Sequence, residues 1–283
     1  MKTSSIIRLI AAAPALMLCS CSVVAEKSDI ADADAKFVDR TFKVGSFKSI
    51  ETSTVVNFKI SQGYKTSLSL RAPSNLIDYI TVKVEDGVLR VDAKKGKRFH
   101  NPGDKFNMTV TVPTLNAITT TGTGDIKFSG KFKTGDFKAT SSGTGDIDMP
   151  DFLASDLYIT STGTGDVDFN GSVNSASITS SGTGDVEFTS SKCERLTGTT
   201  SGTGDIELKG SASYAELYSY GTGDIKARRF SAAEVNATTS GTGDIDCTAT
   251  RSFKGSAGGT GEIIVYGNPA VRTSETKRIK YMK

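Results

Sequence analysis

Short runs of alternating apolar and polar residues cover most of the chain between residues 115 and 266. They are rich in threonine, valine and isoleucine, and glycine, serine and asparagine separate them. A period of two is that of a β-strand with one buried face, and these residue types favour strands. Residues 37–283 contain no helical pattern of useful length. The pattern therefore predicts an all-β fold.

The predicted strands come in pairs, one before and one after a glycine-rich turn. In the run before a turn, as in "DLYITST", Leu157 and Ile159 are expected to face inward. The run after a turn carries two apolar residues on either side of one polar residue. These pairs are Ile126/Phe128, Ile147/Met149, Val167/Phe169, Val186/Phe188, Ile206/Leu208, Ile225/Ala227, Ile245/Cys247 and Ile263/Val265. We expect both members of each pair to be buried.

The turn itself is a repeated motif, Gly-Thr-Gly-Asp, which returns every 18 to 21 residues and closes with one Gly-Thr-Gly-Glu. The first glycines of the motif are Gly122, Gly143, Gly163, Gly182, Gly202, Gly221, Gly241 and Gly259. A period near 20 residues indicates stacked structural units. Because the strands recur in one direction without a crossover helix, we predict a parallel β-solenoid. Each repeat is then one coil, and neighbouring coils lie about 4.8 Å apart.

Stacking places equivalent residues of successive coils in columns. The two glycines of each turn are expected to adopt a positive φ, which other residues resist. Serine and threonine before the turn are expected to form a hydroxyl stack. The aspartate column brings like charges together, which is unfavourable unless something compensates them. Its members are Asp125, Asp146, Asp166, Asp185, Asp205, Asp224, Asp244 and finally Glu262.

Two arrangements compensate that column. In the first, each aspartate accepts hydrogen bonds from N–H groups of its own turn and from nearby hydroxyls. In the second, cations lie between the coils, because a second acidic column runs two residues further along. Together the columns form an acidic stripe of hard oxygen ligands, which suit calcium: Asp146, Asp148, Asp166, Asp168, Asp185, Glu187, Asp205 and Glu207. Aspartate is common in turns for backbone reasons alone, so the first arrangement is preferred and no cofactor is predicted.

The N-terminus has the features of a secretory signal. A charged start is followed by a short apolar run, and Leu18, Ser20 and Cys21 resemble a bacterial lipobox. We therefore predict a signal peptide at 1–20, lipidation of Cys21, and attachment to the bacterial outer membrane through that lipid alone. Residues 21–37 are expected to be a tether and residues 38–283 a single β-helix domain.

The first part of that domain, residues 38–114, is less regular than the coils at 115–266. "SIETSTVVNFKI" at 49–60 is interpreted as a degenerate coil, with Asn57 in the aspartate position and Phe58 and Ile60 inward. Asp86-Gly87 is a hairpin-type turn. We expect longer opening coils here that also cap the N-terminal sheet edge. Residues 267–283 are expected to form a C-terminal tail.

The tandem SGTGD turns, the stretch "ITTTGTGDIKFSG" after "VTVPTLNAI", and the closing "IIVYGNP" resemble the GIN head domain family of proposed autotransporter adhesins. This resemblance covers about residues 40–270, and the family is common among lipoproteins of gut Bacteroidetes. It implies a right-handed, single-stranded β-helix related in shape to pectate-lyase folds, without their catalytic residues. It also implies a role in cell adhesion.

The residues offer little for catalysis. His100 stands alone in a charged loop, without a nucleophile or base, and the basic residues around it are interpreted as a solvated loop. The chain carries 34 basic and 31 acidic residues, which gives no argument for nucleic acid. We therefore predict a non-catalytic binding module for a cell-surface glycan or protein. The alternative is a β-helix carbohydrate-active enzyme that uses paired carboxylates of the stripe.

Two cysteines follow the predicted signal, and both occupy core columns. Cys247 is in the second inward position after its turn, and Cys193 replaces the small residues found nine positions before other turns. Their coils are about three apart, roughly 14 Å at ordinary strand spacing. A disulfide cannot span that distance, so we predict two free, buried thiols.

Overall fold

The computed structural model describes residues 29–33, 35–100, 105–274 and 276–282. The predicted signal peptide, Cys21 and most of the predicted tether lie outside these residues. In the part of the chain described, the one helical element is a single 3-10 turn at Ile77–Tyr79, and no helix is long and apolar enough to cross a membrane.

Nine strands form the N-terminal part of the fold. They are β1 (Asp29–Asp32), β2 (Phe37–Thr41), β3 (Ser49–Thr52), β4 (Asn57–Gln62), β5 (Ser67–Pro73), β6 (Ile80–Glu85), β7 (Val88–Ala93), β8 (Lys97–His100) and β9 (Asn107–Val112). Among the described residues, strand β1 pairs with β8, in parallel, as a separate two-stranded sheet. The predicted tether at 21–37 is therefore wrong for Asp29–Asp32, because these residues pair with the folded domain. The other seven strands join the sheet that continues through the repeats.

The repeats supply the regular strands. They are β10 (Ala117–Thr120), β11 (Ile126–Ser129), β12 (Phe132–Lys133), β13 (Phe137–Ser141), β14 (Ile147–Leu153), β15 (Asp156–Ser161), β16 (Val167–Ser172), β17 (Ser175–Ser180), β18 (Val186–Thr200), β19 (Ile206–Ser219), β20 (Ile225–Thr239), β21 (Ile245–Ala257) and β22 (Ile263–Tyr266). Two more follow, β23 (Val271–Ser274) and β24 (Ile279–Tyr281), which pair in parallel with β21 and β22. The residues expected to form a C-terminal tail therefore extend the solenoid.

All strand pairings from β10 to β24 are parallel, and they repeat at the period of the turns. Val167, for example, pairs with Ile147 on one side and Val186 on the other. The predicted parallel β-solenoid, with coils about 20 residues apart, is therefore confirmed. In β18 to β21 the strand after one turn runs without a break into the strand before the next.

The core lies inside the coils and is continuous along the solenoid. Both members of all eight predicted inward pairs are buried, as are Leu157 and Ile159. Aromatic rings stack along the interior, with the centroids of Phe169 and Phe188 5.2 Å apart and their planes 11° from parallel. Burying one such side chain contributes roughly 1.5–3 kcal/mol, so each coil depends on its neighbours for its stability.

The degenerate coil predicted at 49–60 is also present. Phe58 pairs with Ile126 and Ile60 with Phe128, so β4 is in register with the first regular coil. The side chain of Asn57 takes the aspartate position, and its Oδ1 accepts the N–H of Asp125 at 2.9 Å. The repeat therefore begins one coil before the first GTGD.

The strands after this coil do not stack in chain order, contrary to the expectation of successive opening coils. Strand β7 pairs in parallel with β3, and β9 with β4, on the side away from β10 and β11. Asp86 and Gly87, with φ of 51° and 75°, form the expected tight turn and set β6 antiparallel to β7. Strand β5 runs antiparallel between β2 and β9. These antiparallel strands cover the N-terminal edge of the solenoid.

Both described cysteines are free and buried, as predicted from their columns. Cys193 pairs with Ala212, and Cys247 lies between Ala227 and Val265. Burial raises the pKa of the Cys193 thiol to about 11 and that of Cys247 to about 12. Both therefore remain protonated at neutral pH and act as small core residues.

Candidate functional site

The GTGD turns form one corner of the solenoid, and their backbones approach each other closely. A Cβ added to Gly143 would lie 1.8 Å from the carbonyl oxygen of Gly122, and one on Gly182 would lie 2.0 Å from that of Gly163. The glycines with positive φ in the described chain are Gly87, Gly96, Gly130, Gly210 and Gly267, all outside the GTGD turns. The expected positive φ is therefore wrong. The turn needs glycine because the coil beneath leaves no room for a side chain.

Hydrogen bonds between turns explain this close approach. The N–H of Thr164 donates to the carbonyl of Gly143 at 2.9 Å, and the N–H of Thr183 donates to Gly163 at 3.0 Å. The same bond recurs up the column. The corner is thus a backbone ladder, and it continues the sheet around the turn.

The aspartates add a second ladder beside it. Oδ1 of each aspartate accepts the backbone N–H of the equivalent residue in the next coil, at 2.7 to 3.1 Å. The donors are Asp146, Asp166, Asp185, Asp205, Asp224, Asp244 and Glu262. The expectation that each aspartate caps its own turn is therefore wrong in one respect, because the N–H belongs to the following coil. Each carboxylate ties two coils together.

Two substitutions distinguish the role of Asp185 as a hydrogen-bond acceptor from its role as a negative charge. Asp185→Asn should change the melting temperature little, because an amide oxygen also accepts an N–H, as Asn57 does at the start of the column. Asp185→Ala should destabilise by about 1 kcal/mol, because the N–H of Asp205 loses its acceptor. Thermal melts of both variants, with calcium and with chelator, measure the difference. We expect calcium to leave the melting temperature unchanged.

Cations between the coils would give the opposite pattern. Asparagine would then be nearly as harmful as alanine, and chelator would lower the melting temperature of the wild type, since a ligand bound only to the folded state stabilises it. Loss of calcium-dependent melting in the double variant Asp185→Asn/Asp205→Asn would identify the turn as a metal site.

Both columns of the acidic stripe are partly neutralised by basic residues from the same or neighbouring coils. Lys127 Nζ lies 2.7 Å from Asp148, and Lys209 pairs with both Glu187 and Glu207. Arg229 also pairs with Glu207, and Lys226 pairs with Asp205. Sequence reasoning missed these partners, although Lys127 and Lys226 stand in the same column as the acids. The stripe is therefore a mixed-charge surface at both of its ends.

An acidic recess of about 280 Å³ extends from the Glu207 end of the stripe toward its middle. It is lined by Asp166, Asp168, Asp185, Glu187, Asp205, Glu207 and Lys226. The pKa of Asp168 is raised by burial and by the charges of Glu187, Asp148, Asp166 and Asp146. The pKa of Glu207 is lowered, because bonds from Arg229 and Lys209 outweigh the opposing effect of burial. Within the residues described, no group of three or more histidine, cysteine or acidic side chains has the arrangement of a metal site.

These opposite shifts predict opposite responses to loss of charge. Asp168→Asn should raise the melting temperature at pH 7, because a raised carboxyl pKa means that its charge disfavours the folded state. The gain should shrink as the pH falls through the raised pKa toward the unfolded value near 4, since wild-type Asp168 then becomes neutral. Solvent screening limits the effect to about 0.5 kcal/mol. Thermal melts at pH 7 and pH 4 measure it.

Glu207→Gln is the matched control in the same column. It should lower the melting temperature at pH 7, because the ion pairs with Arg229 and Lys209 are lost. A destabilised Asp168→Asn variant, or a gain of equal size at both pH values, would contradict the assignment of repulsion at Asp168.

Along the turns themselves runs an open groove of about 600 Å³, which we call the hydroxyl groove. It crosses five coils, from Thr121 to Thr203, and its walls are turn threonines, glycines and the serine or threonine before each turn. Hydroxyls bond along it, as from Ser201 to Ser181 and from Thr162 to Ser142, both at 2.9 Å. The predicted hydroxyl stack is therefore an open surface here.

A second, inner column of hydroxyls is buried beneath that surface. Its members are Thr52, Thr120, Ser141, Ser161, Ser180, Thr200, Ser219 and Thr239. The last three donate to the carbonyl oxygen of the second glycine in their own turn, as from Thr200 to Gly204 at 3.1 Å. They hold the corner in shape from inside.

Aromatic residues interrupt the hydroxyl face in one coil, a feature that sequence reasoning passed over. Tyr218 and Tyr220 replace the usual serine or threonine before the turn at Gly221, and their ring centroids lie 6.0 Å apart. The sequence shows this change directly, since "YSYGTGD" has tyrosines where most other turns have serine or threonine. His100, expected in a charged loop, is the last residue of strand β8, and its side chain lies outside the described part of the structure.

Known protein families and solved structures that are similar to this chain share this architecture. The family described as "Putative auto-transporter adhesin, head GIN domain" matches residues 46–197 and 176–269. A solved structure titled as a "putative adhesin" from Bacteroides fragilis is 29% identical, covering 89% of this chain and 100% of that chain, with a TM-score of 0.51. No curated protein matches the sequence.

Two further solved structures show the shared fold. A "putative adhesin" from Parabacteroides merdae is 20% identical with a TM-score of 0.68. A "putative lipid binding protein" from Parabacteroides distasonis is 22% identical with a TM-score of 0.67. Each is matched over 90% of this chain and 100% of its own.

Proposed function

The chain belongs to the head GIN domain family, and from that premise we propose that it is a non-catalytic adhesion module of the cell envelope that binds a glycan. The adhesin family and the adhesin-titled structure from Bacteroides fragilis support adhesion. The hydroxyl groove is the observation that favours a glycan as the ligand. Its length along the solenoid suits an extended chain.

The chemistry of the groove matches that of a polysaccharide. Each serine or threonine hydroxyl donates one hydrogen bond and accepts two, so it can meet a sugar hydroxyl in either sense. Thr144, Thr164 and Thr183 are exposed on successive coils and present such groups at a regular spacing. Repetition along one rigid surface lets weak contacts add up, as in multivalent binding.

Attachment to the envelope is part of the proposal. We infer a lipid on Cys21 that anchors the solenoid to the outer membrane, on either its periplasmic or its outer face. Metabolic labelling with a fatty acid should mark the wild type and leave Cys21→Ser unlabelled. Whole-cell protease treatment then distinguishes surface display from a periplasmic position.

A glycan array tests the binding proposal. The wild type should bind at least one polysaccharide, and the double variant Thr164→Val/Thr183→Val should bind it more weakly, because valine keeps the volume and removes the hydroxyls. Thr109→Val, an exposed hydroxyl outside the groove, is the matched control. Unchanged binding by the groove variant would contradict the proposal.

Polysaccharide cleavage is the second candidate, and the acidic recess favours it. General acid–base catalysis uses two carboxyls whose pKa values are pushed apart, as those of Asp168 and Glu207 are. The ion pairs that hold Glu207 make a purely structural role the better explanation. Release of oligosaccharides from a polysaccharide panel, abolished by Asp168→Asn, would replace binding with catalysis.

A further inference from the structure

One coil carries an aromatic site on an otherwise hydroxyl-bearing face. Tyr218 pairs with Thr199 and Thr238 in the neighbouring coils, and Thr238 in turn pairs with Ser256. Tyr220 stands where six other coils have Thr121, Ser142, Thr162, Ser181, Ser201 and Ser240, and where the last turn has Gly258. The change to tyrosine at both positions of one coil makes this place chemically different from the repeat around it.

The two rings stack against each other and form an aromatic platform, with Tyr220 open to solvent and Tyr218 partly buried. Their planes are within 14° of parallel, and Tyr220 is 50% exposed. Burial, helped by the charge of Glu216, raises the pKa of Tyr218, so its hydroxyl stays a donor at neutral pH. Such rings offer large, rigid apolar faces with a polar tip, which suits recognition of amphipathic ligands.

Next to the platform is a recess of about 260 Å³. Tyr218 forms one wall, because the residues that follow it in the column, Thr238 and Ser256, are much smaller. Asn236 and Lys254 complete the lining with an amide and an ammonium group. We call this recess and the two tyrosines the tyrosine site. Its size suits one sugar ring.

The polar groups of the tyrosine site are arranged for an anionic ligand. Asn236 Nδ2 donates to the hydroxyl of Tyr214 at 2.5 Å, which orients the amide and leaves its oxygen free to accept. Lys254 is exposed and has no ion pair among the described residues. Glu216, two coils away in the same column, already accepts a hydrogen bond from Tyr214. Lys254 is thus a cation available to a ligand.

We infer that the tyrosine site binds a carboxylate-bearing sugar residue of a glycan. The inference rests on the proposed function and names its ligand class. The apolar face of the sugar lies on the tyrosine rings, its hydroxyls bond to Asn236 and Thr238, and Lys254 pairs with its carboxylate. The hydroxyl groove ends in the coil before Tyr220, so a chain lying in it would reach the tyrosine site at that end.

An array of glycans that end in glucuronate, galacturonate or sialate tests this inference, with each glycan matched by its carboxyl-reduced, neutral form. The full chain should bind at least one acidic glycan, and about tenfold more tightly than its neutral form, as expected for a charge-assisted contact. Lys254→Gln should remove that preference.

The platform variants restore the residues of the repeat, so they should fold normally. Tyr218→Thr/Tyr220→Ser should weaken binding at least tenfold, whereas Tyr158→Ser, an exposed tyrosine in another coil, should leave it unchanged. Equal binding of acidic and reduced glycans, or full binding by the double tyrosine variant, would overturn the inference.

The results of these binding experiments also distinguish the tyrosine-site inference from the proposed function. Binding of neutral glycans that depends on Thr164 and Thr183 but not on the tyrosines would support the groove and overturn the tyrosine site. Binding of no glycan at all would overturn both. Binding only of an acidic peptide, used as a competitor, would overturn the sugar assignment.

Discussion

Gly182→Ala is expected to lower the free energy of unfolding by about 3 kcal/mol or more. The new Cβ would lie 2.0 Å from the carbonyl oxygen of Gly163, far inside contact distance. The atoms that it meets belong to backbone and cannot rotate away. Relief requires the turns at Gly163 and Gly182 to separate, which breaks the bond from Thr183 N–H to Gly163. Urea denaturation should show a lower midpoint.

Gly198→Ala is the matched control inside the same solenoid. A Cβ at Gly198 would meet Leu217 Cδ2 at 3.5 Å as its nearest atom, which is ordinary van der Waals contact. The substitution fills core space and restricts the unfolded chain, so it should be neutral or stabilise by about 0.5 kcal/mol. Equal destabilisation by Gly182→Ala and Gly198→Ala would show that the turn glycines are not required for the close approach of the coils.

The solenoid itself could be predicted from the sequence because the pattern that specifies each coil is short and recurs in every repeat. Each coil shows the same alternation and the same turn, so an error in one coil is corrected by the next. The column of Asn57 illustrates this, since its place before Phe58 and Ile60 identified a coil without glycines. Columns also placed Cys193 and Cys247 correctly.

The opening strands could not be placed in the same way. An apolar alternation shows that β7 and β9 have a buried face, but it does not show which side of the 49–62 coil they cover. That choice depends on strand pairing between distant segments and on the reversal at Asp86-Gly87. The turn was recognisable and its tertiary consequence was not.

The candidate site shows a similar limit. A glycine column predicts an unusual backbone, but sequence alone does not separate a positive φ from a close approach between chains. Likewise the aspartate column predicted acceptors without showing that the N–H comes from the next coil. The ion pairs of Lys127 and Lys226 could have been predicted, because alignment of the repeats places these two lysines next to acidic residues of neighbouring coils.

Ile206→Asp is the second substitution with a large expected effect. Ile206 is fully buried and pairs with Val186 in one coil and Ile225 in the next. A carboxylate there would have no partner, so we expect a loss of about 4 kcal/mol or more. Ile206→Val, which removes one methylene from the same place, should lose only about 1 kcal/mol.

Ile264→Asp is the control that introduces the same charge at a position facing outward rather than into the core. Ile264 faces outward and pairs with Asp246, so aspartate there restores the acidic column and should be mild. The defect of Ile206→Asp should also lessen at low pH, since a buried carboxyl is neutral once protonated. An unchanged denaturation midpoint for Ile206→Asp would show that this position is not inward. Because each coil is stabilised by its neighbours, a charge at Ile206 should also uncouple the coils on its two sides and broaden the unfolding transition.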